Sequence, residues 1–196
     1  MRDPQQTRQL IIDKALPIFN TKGYNAASLS DITAATGITK GAIYGNFKNK
    51  DEVATASFDH AVQIVMGLLT KQVRSKNNAP DKLMAIVNYY AEYVNNPPIP
   101  GGCPILNSSI EADDNLPFLK SRVIRTIALM KDSLSKIVNR GILEGQIKRE
   151  VDAEELAVFF YATIEGAISL SRIEGDGRSY KHVRNVLNKM IEEITI

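Results

Sequence analysis

The chain has 196 residues, 44% of them hydrophobic and 23% charged, with 24 basic and 22 acidic side chains for a formal charge of +2. A single cysteine, Cys103, excludes an intrachain disulfide or a cysteine-based zinc cluster. The two histidines, His60 and His182, are far apart and lack a second ligand at helical spacing, so no metal site is expected. A chain of this length buries roughly 70% of its unfolded surface on folding and needs no such staple. No uninterrupted apolar run approaches the roughly 18 residues of a membrane span. The N-terminal MRDPQQTRQLIIDKALPIF carries charges inside its apolar stretch and no small-residue cleavage site, which argues against a signal peptide. A soluble cytoplasmic protein with no membrane partner is the expectation.

The charge is segregated. Residues 1–50 hold seven basic side chains (Arg2, Arg8, Lys14, Lys22, Lys40, Lys48, Lys50) against Asp3, Asp13 and Asp31, a net +4, whereas residues 51–196 hold 17 basic and 19 acidic residues, a net −2. A basic excess confined to one small segment is the electrostatic footprint of a DNA-binding module.

Taken in order, the elements read as helices. Thr7–Thr21 carries Ile11, Ile12, Ala15, Leu16 and Phe19 at helical spacing; Pro17 predicts a kink or an early end, and Gly23 a stop. Ser28 and Asp31 fit a capping box that opens a short helix ending at Gly37, and Thr39 caps a second over Lys40–Phe47. A long helix follows over Asp51–Lys76, another over Pro80–Val94, then a Pro/Gly loop over Asn95–Gly102. Pro104 opens a helix to Ala112, with Asp113-Asp114 as polar loop, and Pro117–Arg140 is the next. Asp152 caps Ala153–Arg172, its acidic first turn matched to the helix dipole. Ser179 caps a last helix whose Val183, Val186, Leu187, Met190, Ile191 and Ile194 form one stripe. The class is all-α, with about nine helices and no strand or repeat.

The segment that carries chemistry is Ser28–Lys50, where two short helices meet at a turn containing Gly37, the arrangement of a helix-turn-helix. Ile32, Ala35, Ile38, Ile43 and Phe47 form its shared core with Ile12, Leu16 and Phe19. On the second helix Gly41, Ala42 and Gly45 point away from Ile43 and Phe47, and small residues there let the backbone approach base edges in a major groove. Lys40 and Tyr44 flank that surface within reach of a base or phosphate, and Lys48 and Lys50 lie beyond it, where phosphate contacts fix the docking angle.

From Arg8 to Val53 the sequence resembles the TetR (AcrR-type) family of bacterial transcriptional regulators, most specifically in Gly37-Ile-Thr-Lys-Gly-Ala-Ile-Tyr-Gly-Asn-Phe-Lys-Asn-Lys50, with Phe19, Gly23, Tyr24 and Asp31-Ile32 in place upstream. The resemblance implies that Tyr44 and Lys50 hold phosphates and that Thr39, Lys40, Gly41 and Ala42 approach bases; Ser28, Ser30, Asn46 and Lys48 complete the candidate DNA surface. Two positions depart from the pattern. The pair before Phe47 is Gly45-Asn46 instead of aromatic or basic, which removes any side-chain contact from position 45 and leaves Asn46 as substitute. Thr33 stands where alanine is usual and either packs or adds a hydrogen bond.

Beyond Val53 the resemblance is weaker: Gly102–Asn107 with Glu111 is similar to the sixth helix of many members, and Gly145–Ala157 to the entry of their eighth. It implies a homodimer through the last two helices, an expectation that Ala157, Ala162, Gly166 and Ala167 support by permitting close helix approach. The division expected is residues 1–50 for DNA binding and 51–196 for effector binding and dimerisation, with the long helix after Lys50 as lever. Candidate effector contacts are Met66, Tyr90, Tyr93, Cys103, Asn107, Ile110, Met130 and Phe159, for each of which ordinary core packing is the plainer reading.

Cys103, before Pro104 at a helix start, is either a reactive thiol sensor or a packed small hydrophobe. Glu165 is either a pocket anion for a cationic effector or a group at the dimer interface. No Gly-rich phosphate loop, Glu-x-x-His pair or Ser/His/Asp or Cys/His set supports an enzyme or a cofactor. The basic head and its helix-turn-helix predict a DNA-binding regulator, and the resemblance implies a ligand-responsive, dimeric one, most often a repressor that a small molecule releases from a palindromic double-stranded DNA operator. The alternative is a helical small-molecule binder, or a thiol sensor through Cys103, with a weakened DNA head.

Overall fold

The computed structural model describes residues 3–196; Met1 and Arg2, the latter counted in the N-terminal charge, lie outside the described residues, as do the side chains of Asp114 and Asn115. Nine α-helices and no strand are present among the described residues: α1 Pro4–Ala26, α2 Leu29–Thr36, α3 Lys40–Tyr44, α4 Lys50–Arg74, α5 Ala79–Asn95, α6 Pro104–Asn115, α7 Pro117–Leu143, α8 Ala153–Glu174 and α9 Arg178–Ile194.

α1 starts earlier than its periodicity predicts because Asp3 caps it, accepting from the Gln5 amide at 3.2 Å, with Pro4 at the first turn. Pro17 does not end the helix. The carbonyl that loses its donor there belongs to Asp13, an exposed residue that water can serve. Gly23 does interrupt the helical geometry, at φ 79°, with one further turn beyond it.

The predicted caps at Ser28, Thr39 and Asp152 are all formed. The predicted Ser179 cap is not: Ser179 lies inside α9 and donates to Glu174 at 2.6 Å, while Asp176 accepts from the Arg178 amide at 2.9 Å at that helix start. Asp113 is not in a loop either; it lies within α6 and pairs with Lys120 at 3.1 Å.

Packing groups the chain into two units. The first runs to Ile64 and adds Ile99–Ile124; the second comprises Val65–Pro98 and Arg125–Ile196. Residues of α4 and α7 belong to both. In the first unit, Ile11, Ile12, Ala15, Ile32, Ile43, Phe47 and Val53 form a closed core with Ile18, Phe19, Leu29 and Ile38 at its margin. Ala35, expected in that core, is exposed, because the short α2 turns only its Ile32 side inward. α6 packs on α1 and is tied to it by polar groups: the Asn107 amide donates to the Asn20 carbonyl at 3.1 Å, and Asn20 donates to the Pro100 and Gly102 carbonyls at 2.8 and 3.0 Å.

In the second unit α5, α8 and α9 pack together around Tyr90, Phe160, Ile164, Tyr180, Leu187 and Ile191. The buried Tyr180 hydroxyl donates to the Val87 carbonyl at 2.9 Å, and burial pushes its ionisation upward. The C-terminus is fastened by the Lys148 amide donating to the Ile194 carbonyl at 2.9 Å, beside a lone bridge between Ile147 and Thr195.

Candidate nucleic-acid interface

The reading head is assembled from two reinforced helix starts. Ser28 Oγ accepts from the Asp31 amide at 3.1 Å, and the Asp31 carboxylate accepts from the Ser28 amide at 2.9 Å, a reciprocal capping box. Lys22 Nζ sits 2.7 Å from the same carboxylate and, with these hydrogen bonds, holds its pKa down at about 2. α2 stops because Gly37 takes the left-handed conformation at φ 69°, returning its amide to the Thr33 carbonyl. Two residues later Thr39 Oγ1 accepts from the Ala42 amide at 3.2 Å and opens α3.

α3 is shorter than the predicted Lys40–Phe47: after Tyr44 the chain passes into a turn, with both Asn46 and Phe47 amides on the Ile43 carbonyl at 3.0 Å. Gly45-Asn46, a poor pair for prolonging a helix, accounts for the early end. Ile43 and Phe47 are buried and anchor the element, which leaves Ser28, Ser30, Thr39, Lys40, Gly41, Tyr44 and Lys48 exposed and Ala42 and Lys50 half-buried. Tyr44 is 48% exposed although it is the largest side chain of α3, a costly placement for an aromatic ring with no role outside the chain.

Neither small residue on the outer face is required by the backbone. A methyl group built on Gly41 would meet only Thr39 Oγ1, at 4.0 Å, and one on Gly45 only carbonyl oxygens at 3.5 and 3.6 Å. Gly45 has φ −70°, open to any residue. The fold therefore leaves room for a larger side chain at both positions. Asn46, in the turn after α3, points back to that helix and donates to the Ala42 carbonyl at 2.9 Å. Thr33 does the same within α2, donating to the Ser30 carbonyl at 2.9 Å.

Two cations shape the head from within. The Arg8 guanidinium lies 3.9 Å from the centre of the Phe47 ring and bonds the Asn46 carbonyl and, at 3.1 Å, Glu52. Glu52 in turn accepts from the Lys48 amide at 2.8 Å, a bond that, with Arg8, lowers its pKa. Lys50 Nζ stands 4.2 Å over the Tyr24 ring, whose hydroxyl donates to Asp51. Sequence reasoning counted Arg8 only as charge. Its pairing with Phe47 spans 39 positions and leaves no local signature.

Comparison with known proteins decides what this head is. A family model described as "Bacterial regulatory proteins, tetR family" matches residues 11–56, and one described as "Tetracyclin repressor-like, C-terminal domain" matches residues 79–187. A TetR transcriptional regulator from Chloroflexus aurantiacus J-10-FL superimposes with a TM-score of 0.95 at 37% identity, over 100% of this chain and 98% of that one. The chain belongs to the TetR family of transcriptional regulators.

The HTH-type transcriptional repressor DhaR of Mycobacterium sp. (strain GP1) is 25% identical over 168 residues, 85% of this chain and 83% of that protein. The TetR family regulator CifR, solved as a cysteine mutant on 26-bp double-strand operator DNA, shares the fold with a TM-score of 0.82 at 16% identity, over 95% of each chain. As a TetR-family protein the chain is a DNA-binding transcriptional regulator, and Lys40–Tyr44 is the second helix of its helix-turn-helix.

Of the residues singled out as effector contacts, the structure brings Met66, Tyr90 and Met130 to one cavity of about 320 Å³ in the second unit, with Leu69, Thr70, Ile86, Tyr161 and Glu165 also lining it. It does not bring the others there. Tyr93 is buried in α5. Phe159 is 44% exposed on α8, and Ile110 is 73% exposed on α6. Cys103 and Asn107 belong to the first unit, the former 3% exposed at the start of α6 and the latter held by Asn20 and Gly101. His60 lies 3.2 Å from Asp13, and no group of three or more potential metal ligands occurs among the described residues.

Proposed function

We propose that the chain acts in the cytoplasm as a homodimeric repressor, each protomer laying Lys40–Tyr44 in a major groove of a palindromic operator. Thr39, Lys40, Gly41 and Ala42 face the bases in this reading, and Ser28, Ser30, Tyr44, Lys48 and Lys50 face the backbone around them, while Asn46 is engaged with the Ala42 carbonyl instead. The observation that carries it is the pairing of an exposed Tyr44 with two glycines that the fold does not require, at Gly41 and Gly45. A surface left bare for close approach beside an aromatic and two lysines suits a groove rimmed by phosphates.

Dimerisation draws support from α8, where Phe159, Ala162, Gly166, Leu170 and Ile173 are exposed along one stripe, with Val186 exposed on α9. A methyl group on Gly166 would meet nothing within 4 Å, so a second helix can approach closely there. Ala157 and Ala167, which the sequence grouped with them, are instead buried within the protomer.

Release by a small molecule follows from linkage: an effector that prefers the conformer with the wrong head spacing lowers operator affinity by its differential affinity for the two states. The cavity lined in part by α4, the helix that begins at Lys50, supports that assignment. Repression draws support from the named repressor among the relatives. The thiol-sensor alternative gains nothing from a cysteine that is 3% exposed.

The test is selection of bound duplexes from a random pool by the full-length protein. The reading predicts enrichment of an inverted repeat and transcriptional silencing of a reporter that carries it. Enrichment of no sequence, or activation of the reporter, would overturn it.

A further inference from the structure

We infer that the cavity of the second unit takes an organic cation, an amine on an apolar or aromatic body, with its nitrogen held by Glu165. This rests on the effector reading above and gives that effector its chemistry. The cavity, about 320 Å³, is in the size range of small-molecule sites and is walled by Met66, Leu69, Ile86 and Met130 from three helices. Into this apolar lining α8 places Glu165, only 5% exposed. A carboxylate at that depth, on a lining that is mostly apolar and whose only other charged groups are Arg74 and Lys136, makes the interior favourable to a positive charge and hostile to a negative one. Tyr90, 2% exposed, and Tyr161 line the same space and add aromatic surface to it.

The basic residues on the lining do not reverse this sign. Arg74 and Lys136 are exposed to water, where their fields are screened, and Lys136 is already 2.7 Å from Asp132. A ligand anion would have to enter beside Glu165, and a neutral ligand gains the apolar contacts alone. A protonated amine gains both, through a charge-assisted hydrogen bond inside a low-dielectric pocket.

Three probes of matched shape test this by titration calorimetry on the full chain: phenylbutylamine, phenylbutanol and phenylbutyrate. The amine is expected to bind about tenfold more tightly than the alcohol, the equivalent of one charge-assisted contact, with the carboxylate weakest. Glu165→Gln is expected to abolish the preference for the amine while leaving the alcohol's affinity unchanged, which shows that the cavity is intact; Glu165→Asp should keep the preference. Tighter binding of phenylbutyrate, no binding of the amine, or an undiminished amine preference in Glu165→Gln overturns the assignment. A parallel readout separates the two readings. If the amine binds through Glu165 without releasing selected DNA, the cation site stands and the effector reading falls; release by phenylbutanol or phenylbutyrate without amine preference does the reverse.

Discussion

The carboxylate of Glu111, on α6, accepts the backbone N–H of Tyr24 at 2.5 Å, immediately after the break at Gly23. A second oxygen reaches the Asn25 amide at 3.4 Å. Amides that the kink withdraws from the helix ladder thus find a charged acceptor on another element, and Tyr24 carries the ring beneath Lys50. A methyl group on Gly23 would lie 2.6 Å from Glu111 Oε1, so a larger residue there would push the carboxylate off these amides.

Glu111→Ala is expected to destabilise the protein by about 1.5–3 kcal/mol, the worth of a hydrogen bond from the part-buried Tyr24 amide to a charged acceptor. Gly23→Ala should destabilise by a similar amount through its positive φ and the clash. Urea unfolding measures both. Wild-type stability in Glu111→Ala would show that the contact carries no weight.

Gly41→Ala should raise stability and lower DNA affinity together. Alanine at a compatible helical position stabilises by about 0.4–1 kcal/mol, and the space around Gly41 is open. The added methyl group then occupies the surface assigned to the groove. A variant that is more stable and binds DNA equally well would remove Gly41 from the interface.

Lys48 and Lys40 should fail differently. Lys48→Ala is expected to weaken binding to all sequences alike and to reduce the salt slope by about one charge. Lys40→Ala should cost about 1–3 kcal/mol and relax preference at one base position. Equal losses on selected and random duplexes for both variants would contradict these roles.

Acid should loosen the head through Asp31. Its pKa falls from 3.8 to about 2 on folding, so the stabilisation it confers is complete above pH 4 and is lost as the pH drops through that interval. Asp31→Asn should be less stable than wild type at neutral pH, and its thermal midpoint should converge on the wild-type value near pH 2. Parallel curves would mean that another group carries the acid response.

Leu170→Glu should separate protomers without unfolding them, because Leu170 is 55% exposed. Light scattering is expected to show a monomer with unchanged helicity and much weaker operator binding. A dimer that persists would move the interface away from this face.

The fold was legible wherever a local rule governs. The caps at Ser28, Thr39 and Asp152, and the stop at Gly37, depend on residues within four positions of one another, and the sequence displays them directly. The early end expected at Pro17 does not occur, because the penalty of a helical proline depends on whether water reaches the abandoned carbonyl, which is a tertiary fact. Ser179 misled because Asp176, three residues earlier, serves the helix start instead. Of the site, the outer face of α3 was legible from small residues opposite Ile43 and Phe47. The clamp of Arg8 on Phe47 and the seat of Lys50 over Tyr24 join distant positions, and only folding brings them together. The cavity likewise gathers Met66, Tyr90, Met130 and Glu165 from four helices, a set that no spacing in the sequence announces.

The central claim is that α3 reads DNA as one half of a symmetric pair. Fluorescence anisotropy on a selected inverted-repeat duplex, titrated across salt concentrations, tests it most directly. The account predicts protomers bound in pairs, affinity that falls steeply with salt, and a selected duplex bound about 1,000-fold or more above a scrambled one. One protomer per duplex, or equal affinity for the scrambled sequence, would contradict it.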